Sequence, residues 1–303
     1  MKADKFFSYI LIFFSLFFIL IVFLLGYELY RGSQNIISIF GFNFIINSIW
    51  DPVRDIYGIA PIILGSFITS LIALVLAVPL SLFIAYFLNE LVPHIFKPYL
   101  SSLIELLAAI PSVVYGLWAL LVLAPFLRDY VFIPMQKILG FIPFFQGPIT
   151  GYGLLTAGIV LAVMILPTIT SIIRESLALV PSHIKEAAIS LGAIQYQVAI
   201  LLFKYIKFAI VGAIILGFAR AFGEAMAVAM VIGGKHEFPI SIFDAGYTMP
   251  SIIVNEFTEA VSNLHYDALV AIGFILFLIA LANIVVARLI IRKTMGYIKY
   301  TTV

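Results

Sequence analysis

Apolar runs long enough to cross a bilayer recur six times along this chain, and the stretches between them hold nearly all of its charge. A helical crossing needs about 20 apolar residues. The segments 6–25, 60–88, 106–127, 153–173, 208–232 and 268–287 meet that length. The pattern predicts an all-α membrane protein with six transmembrane helices in one membrane domain. Residues 1–59 then form an N-terminal tip, a first helix and an external segment; 60–291 form a five-helix core; 292–303 form a tail. Pro79 and Pro167 fall inside predicted spans, where neighbouring helices or hydroxyls can satisfy the carbonyls they free, so a packed bundle is expected. Lys2 and Lys5 precede the first run as they would in a signal peptide. That run is longer than a usual signal core and no A-x-A cleavage site follows, so it reads as a retained anchor.

Composition agrees: 64% of residues are hydrophobic and 11% charged, which marks a polytopic membrane protein. Lys and Arg set the orientation. With the N-terminus cytoplasmic, the inner segments hold Lys2, Lys5, Lys97, Arg174, Lys185, Lys204, Lys207, Arg288, Arg292, Lys293 and Lys299. The outer segments hold Arg31, Arg54, Arg128, Lys137 and Lys235. Eleven against five places both termini in the cytoplasm, with outer loops at about 30–59, 128–152 and 233–267.

Two charges break the pattern. Arg220 and Glu224 lie within the fifth apolar run. An arginine at mid-membrane costs roughly 2.5–3.5 kcal/mol on insertion scales, which makes it a functional-site hypothesis. Four-residue spacing on one continuous helix puts both groups on one face, one turn apart, where each neutralises the other. Two readings stand. One is a buried ion pair that fixes packing; the other is a station on an anion path, for which the planar guanidinium fork suits phosphate-like oxyanions. The same run carries small residues at every fourth position, Ala209, Ala213, Gly217, Ala221, Ala225 and Ala229, a stripe that permits close helix approach.

Other chemistry is sparse. There is no Cys, and the four His (His94, His183, His236 and His265) are scattered singly, as solvated residues usually are. No HExxH pattern occurs, so neither a catalytic metal site nor a cofactor is expected. Gly233-Gly234-Lys235-His236 lacks the glycine spacing and the Ser/Thr of a P-loop. The chain is expected not to be an enzyme and not to hydrolyse ATP itself, and nucleic acid is not an expected partner.

The longest inner loop, about 174–207, predicts a helix opened by Pro181 and closed by Gly192, then a second helix from about Ile194. Ala187 and Ala188 give the first of these a surface without bulk. That permits close docking of another protein, but from physics alone an ordinary amphipathic surface helix is the preferred account.

Glu186-Ala187-Ala188, three residues, then Gly192 resembles the EAA-x-x-x-G signature of ABC-transporter permeases, in the loop before the penultimate span. The likeness narrows to phosphate-importer permeases of the PstC type. It is carried by Trp50-Asp51-Pro52, Tyr57-Gly58, ELLAAIPSVVYGLWAL from Glu105, LAVMILPTITS from Leu161 and GFARAFGEAMAVAMVIGG from Gly217. The resemblance implies a type I, MetI-like permease fold with a cytoplasmic EAA coupling loop, in a bacterial or archaeal cytoplasmic membrane. It implies an ATP-driven importer that moves inorganic phosphate inward. Expected partners are a sister permease of the PstA type, two copies of a PstB-type ATPase, an external PstS-type phosphate-binding protein and the lipid bilayer. Arg220 and Glu224 match the charged pair the family associates with phosphate passage, and Glu186, Ala187, Ala188 and Gly192 match its ATPase-coupling residues. Departures exist: Ala219 replaces a usual Gly, Ala225 and Ala229 stand where Thr is common, and Leu202-Phe203-Lys204-Tyr205 lacks the usual Pro. Alternatives are a permease for sulfate or molybdate, a passive anion channel and an intramembrane enzyme.

Overall fold

The computed structural model describes the backbone of residues 2–300. Helices α1 (Lys2–Phe40) and α2 (Asn43–Ile46) precede a two-stranded antiparallel hairpin, β1 (Trp50–Asp51) with β2 (Ile56–Tyr57), in which Trp50 pairs with Tyr57. Then come α3 (Ala60–Tyr86), α4 (Lys97–Ala109), α5 (Ser112–Trp118), α6 (Ala124–Leu127) and α7 (Ile133–Leu139). The chain continues through α8 (Leu154–Ala178), α9 (Ser182–Ser190), α10 (Gln195–Tyr205), α11 (Lys207–Phe222), α12 (Met226–Val231), α13 (Met249–Glu256) and α14 (Asn263–Tyr300). The fold is helical, as the apolar pattern predicts, apart from the small hairpin.

Among the described residues, five helical runs are long and apolar enough to cross a membrane: Phe7–Phe40, Ala60–Leu91, Ser112–Leu139, Leu154–Ala178 and Asn263–Val286. A sixth candidate, α10 with α11, is bent by 71° at Ile206. Three boundaries differ from expectation. The first helix runs on to Phe40, so much of the expected loop 30–59 is helical. The expected span 106–127 is broken at Ile110-Pro111, because proline excludes the preceding residue from the helical region; Ile110 is extended, with ψ at 128°. The crossing therefore starts at Ser112 and runs past Arg128 to Leu139 through two wider π-type turns. The expected span 208–232 is also interrupted, at Gly223–Ala225. Of the expected tail, 292–300 extend α14. Residues 301–303 and the side chains of Lys2, Lys5, Arg292, Lys293 and Lys299 lie outside the described residues.

The core is built around α8, whose Ala157, Val160, Leu161, Ile165, Ile169 and Ile173 are all buried. Its main neighbour, α3, turns a stripe of small residues inward at every fourth position: Gly65, Thr69, Ala73, Ala77, Ser81 and Ala85. Such stripes let helix backbones close up where no hydrophobic effect drives association. A Cβ on Gly158 would sit 2.5 Å from Ile72 Cγ2, which shows how tight that seam is. The α11 half of the predicted small-residue stripe packs the same way, with Ala213, Gly217 and Ala221 buried and a Cβ on Gly217 falling 2.6 Å from Ile169 Cδ1. A second apolar cluster lies under the hairpin, where Trp50, Tyr57, Ile59 and Ile62 meet Met249, Ile252, Leu269 and Ile272. The hairpin and α9 mark opposite ends of the bundle, since α3 and α8 run from one to the other.

Candidate anion site and its flanking surfaces

The break between α11 and α12 sets the geometry of the two mid-span charges. Gly223 is a poor helix former, and its N–H closes the last turn of α11 on Ala219 and Ala221. Glu224 then leaves the helix, and its Oε1 accepts the Ala227 N–H at 3.3 Å. The carboxylate thereby satisfies one of the orphan donors at the start of α12. Arg220 points elsewhere: its Nη1 donates to Thr168 Oγ1 of α8 at 2.9 Å. The expected pairing of Arg220 with Glu224 on one helix face is thus not formed. The physical reason is that the helix on which that spacing was counted ends between them. Arg220 is exposed on the surface of this single chain and Glu224 is half-buried.

At the far end, α9 opens after Pro181 and closes on Gly192, as its sequence predicts. Gly192 has φ +84°. Its N–H bonds the Ile189 carbonyl at 2.9 Å, and the Ala193 N–H reaches the Ala188 carbonyl at 3.0 Å. These two bonds form a Schellman closure, for which glycine is the residue of choice. Ala188 packs inward against the core, while Glu186, Ala187 and Leu191 stand exposed. α10 follows from Gln195, capped at Ile194 by the Gln197 side chain, and ends at Tyr205. A cavity of about 480 Å³ separates this helical pair from the end of α3, lined by Tyr86, Glu90, Lys185, Ile189 and Gln195. A Lys185–Glu90 ion pair bridges it.

Near the hairpin, three residues far apart in sequence converge on Glu256. Its Oε2 accepts from Trp50 Nε1 at 2.9 Å and from His265 Nε2 at 3.0 Å; its Oε1 lies 2.6 Å from His236 Nε2. An ionised carboxylate only accepts, so both imidazoles carry their proton on Nε2 here. The His236 ring stacks on Trp50 and the His265 ring on Tyr57. Burial opposes ionisation of Glu256. The hydrogen bonds from His236, Trp50 and His265 outweigh it and hold the carboxyl below its ordinary range. Burial pushes the Tyr57 phenol up to about 12. Their single, scattered positions predict solvated histidines, yet His265 is buried. No local signal marks residues separated by as many as 206 positions.

Comparison with known proteins gives this geometry a family. Residues 77–295 match the model of the binding-protein-dependent transport system inner membrane component. The chain is 42% identical to the phosphate transport system permease protein PstC of Mesorhizobium japonicum over 91% of its own length and 86% of that protein. It is 38% identical to the PstC of Xylella fastidiosa (strain Temecula1), covering 96% and 91%. With the probable PstC of Methanocaldococcus jannaschii it shares 36%, covering 87% and 85%. Among solved structures, an inward-facing MetNI methionine ABC transporter aligns with a TM-score of 0.49 and 17% identity, over 77% of this chain and 94% of that one. The chain belongs to the family of binding-protein-dependent transport system inner membrane components, and within it to the PstC-type permeases.

Proposed function

We propose that this chain is the transmembrane permease subunit of an ATP-driven importer that carries inorganic phosphate into the cytoplasm, with a MetI-like architecture. The observation that carries the reading is Arg220. A guanidinium sits on a helix within the apolar bundle, held by a neutral hydroxyl rather than by a carboxylate, and it keeps its charge available to an anion. Glu224 holds the adjoining helix break, so both residues shape the path, one as anion ligand and one as the cap of the broken segment. Binding there must stay weak enough for release, and an exposed cation at a helix break meets that condition better than a sealed one.

The remaining parts follow from the family. α9 and the Gly192 turn, with Glu186 and Ala187 exposed and Ala188 seating the helix on the core, form the EAA surface on which a PstB-type ATPase docks, so the α9 end faces the cytoplasm. A PstA-type sister permease completes the path, and a PstS-type protein delivers phosphate at the hairpin end. The test is reconstitution with these partners in liposomes, following labelled phosphate, sulfate and molybdate. ATP-dependent uptake of phosphate alone is expected. Uptake without ATP would make the chain a passive channel, and preference for sulfate or molybdate would reassign the substrate.

A further inference from the structure

We infer that Thr168 is a second ligand for the transported oxyanion, a specificity-determining hydroxyl that works beside Arg220. This rests on the phosphate-path reading above and deepens it. Three hydroxyls within α3 and α8 give their proton to a carbonyl one turn back. Ser66 donates to Ile62, Thr69 to Gly65 and Ser176 to Ile172. That is the common fate of Ser and Thr in helix interiors. Thr168 does the reverse: its Oγ1 accepts from the Arg220 guanidinium at 2.9 Å. Among the described residues its own O–H has no acceptor. A hydroxyl has one donor and two acceptor lone pairs, so the proton is left directed away from the guanidinium it is bonded to.

The surroundings agree. Thr168 follows Pro167 in α8 and is half-buried, and Arg220 on α11 is exposed, so the pair sits where the packed seam of the two helices opens. The guanidinium spends one of its five N–H groups on Thr168 and retains the others. A tetrahedral oxyanion arriving at Arg220 therefore meets a fixed cationic fork and a neutral O–H donor together. No residue of α12 carries a hydroxyl, so α8 supplies this contact instead. Ser70 and Thr170 are different: their hydroxyls lack partners but are buried, out of reach of a transported ion.

The experiment uses the fully assembled transporter in liposomes with saturating phosphate-loaded binding protein, scoring uptake per assembled complex. Thr168→Val is isosteric and removes only the hydroxyl. A lost hydrogen bond to a charged group predicts a fall of roughly tenfold to a hundredfold. Thr168→Ser restores the hydroxyl and should return uptake to within about twofold of the parent, which a purely packing role would not do. Thr170→Val serves as a control and should leave uptake unchanged. Combining Thr168→Val with Arg220→Lys should cost less than the sum of the two, because both groups hold one anion. If Arg220→Gln stops uptake while Thr168→Val leaves it intact, Thr168 is not a ligand and the path reading stands. Equal loss in the Val and Ser variants would also overturn the assignment. If Arg220→Gln itself has no effect, the path reading fails.

Discussion

Arg220 and Glu224 do separate jobs in this fold, so their variants should behave separately. Arg220→Gln removes the cation and should abolish phosphate uptake in an assembled complex. Arg220→Lys keeps the charge without the planar fork and should recover only part of it, as initial uptake rates in reconstituted vesicles would report. Glu224→Gln keeps an oxygen able to accept the Ala227 N–H and should be mild. Glu224→Ala loses that cap and should destabilise the start of α12 by about 1 kcal/mol, seen as a lower melting temperature. Equal behaviour of the Gln and Ala variants would argue against capping. Both residues stand out in the sequence as charges within an apolar run. Their partners do not. Four-residue spacing predicts contact only while the helix continues, and Gly223 ends it. Thr168 lies 52 positions from Arg220, beyond the reach of any periodicity argument.

At the scale of elements, glycine and proline placed the boundaries where propensity alone would have left them open. The α9 turn was legible because its closure needs a left-handed residue, and Gly192 has open space where a Cβ would stand. Gly192→Val therefore meets no clash but should cost about 1–2 kcal/mol of backbone strain. We expect weaker ATPase retention on co-purification, with the membrane bundle still assembled. The seam between α3 and α8 responds to volume instead. Gly158→Ala drives a methyl toward Ile72 and Thr69 and should cost about 1–3 kcal/mol, read as a fall in melting temperature in detergent. The start of the crossing at Ser112 is not visible in hydropathy, because apolar content runs straight through Pro111. Hydropathy marks what a bilayer accepts, whereas the backbone marks where a helix can start.

Across the whole molecule, the two ends of the bundle can be told apart by chemistry and by labelling. The native chain has no cysteine, and Val53 and Leu191 are 94% and 90% exposed at opposite ends. Single cysteines at these positions should react with an impermeant maleimide from opposite sides of the membrane, Val53→Cys from outside and Leu191→Cys from inside. Labelling of both from one side would overturn the expected topology. The Glu256 node predicts an acid response. Its carboxyl is held below the ordinary range when folded, so it stabilises the protein above that range. The contribution is lost as pH falls through the lowered folded value. Melting temperature should hold near neutral pH and drop below the ordinary carboxylate range, and Glu256→Gln should flatten that drop.

That node also bears on how the chain is made. Trp50 leaves the ribosome early, and its partner Glu256 follows 206 residues later. At elongation rates of roughly 5–20 residues per second, the indole waits about 10–40 s for its acceptor. Until then the Trp50 indole lacks the carboxylate that fixes it. Release of the nascent chain and completion of this end of the bundle thus fall close together in time. The indole emission of Trp50, quenched or shifted as His236 stacks on it, would report when biogenesis ends.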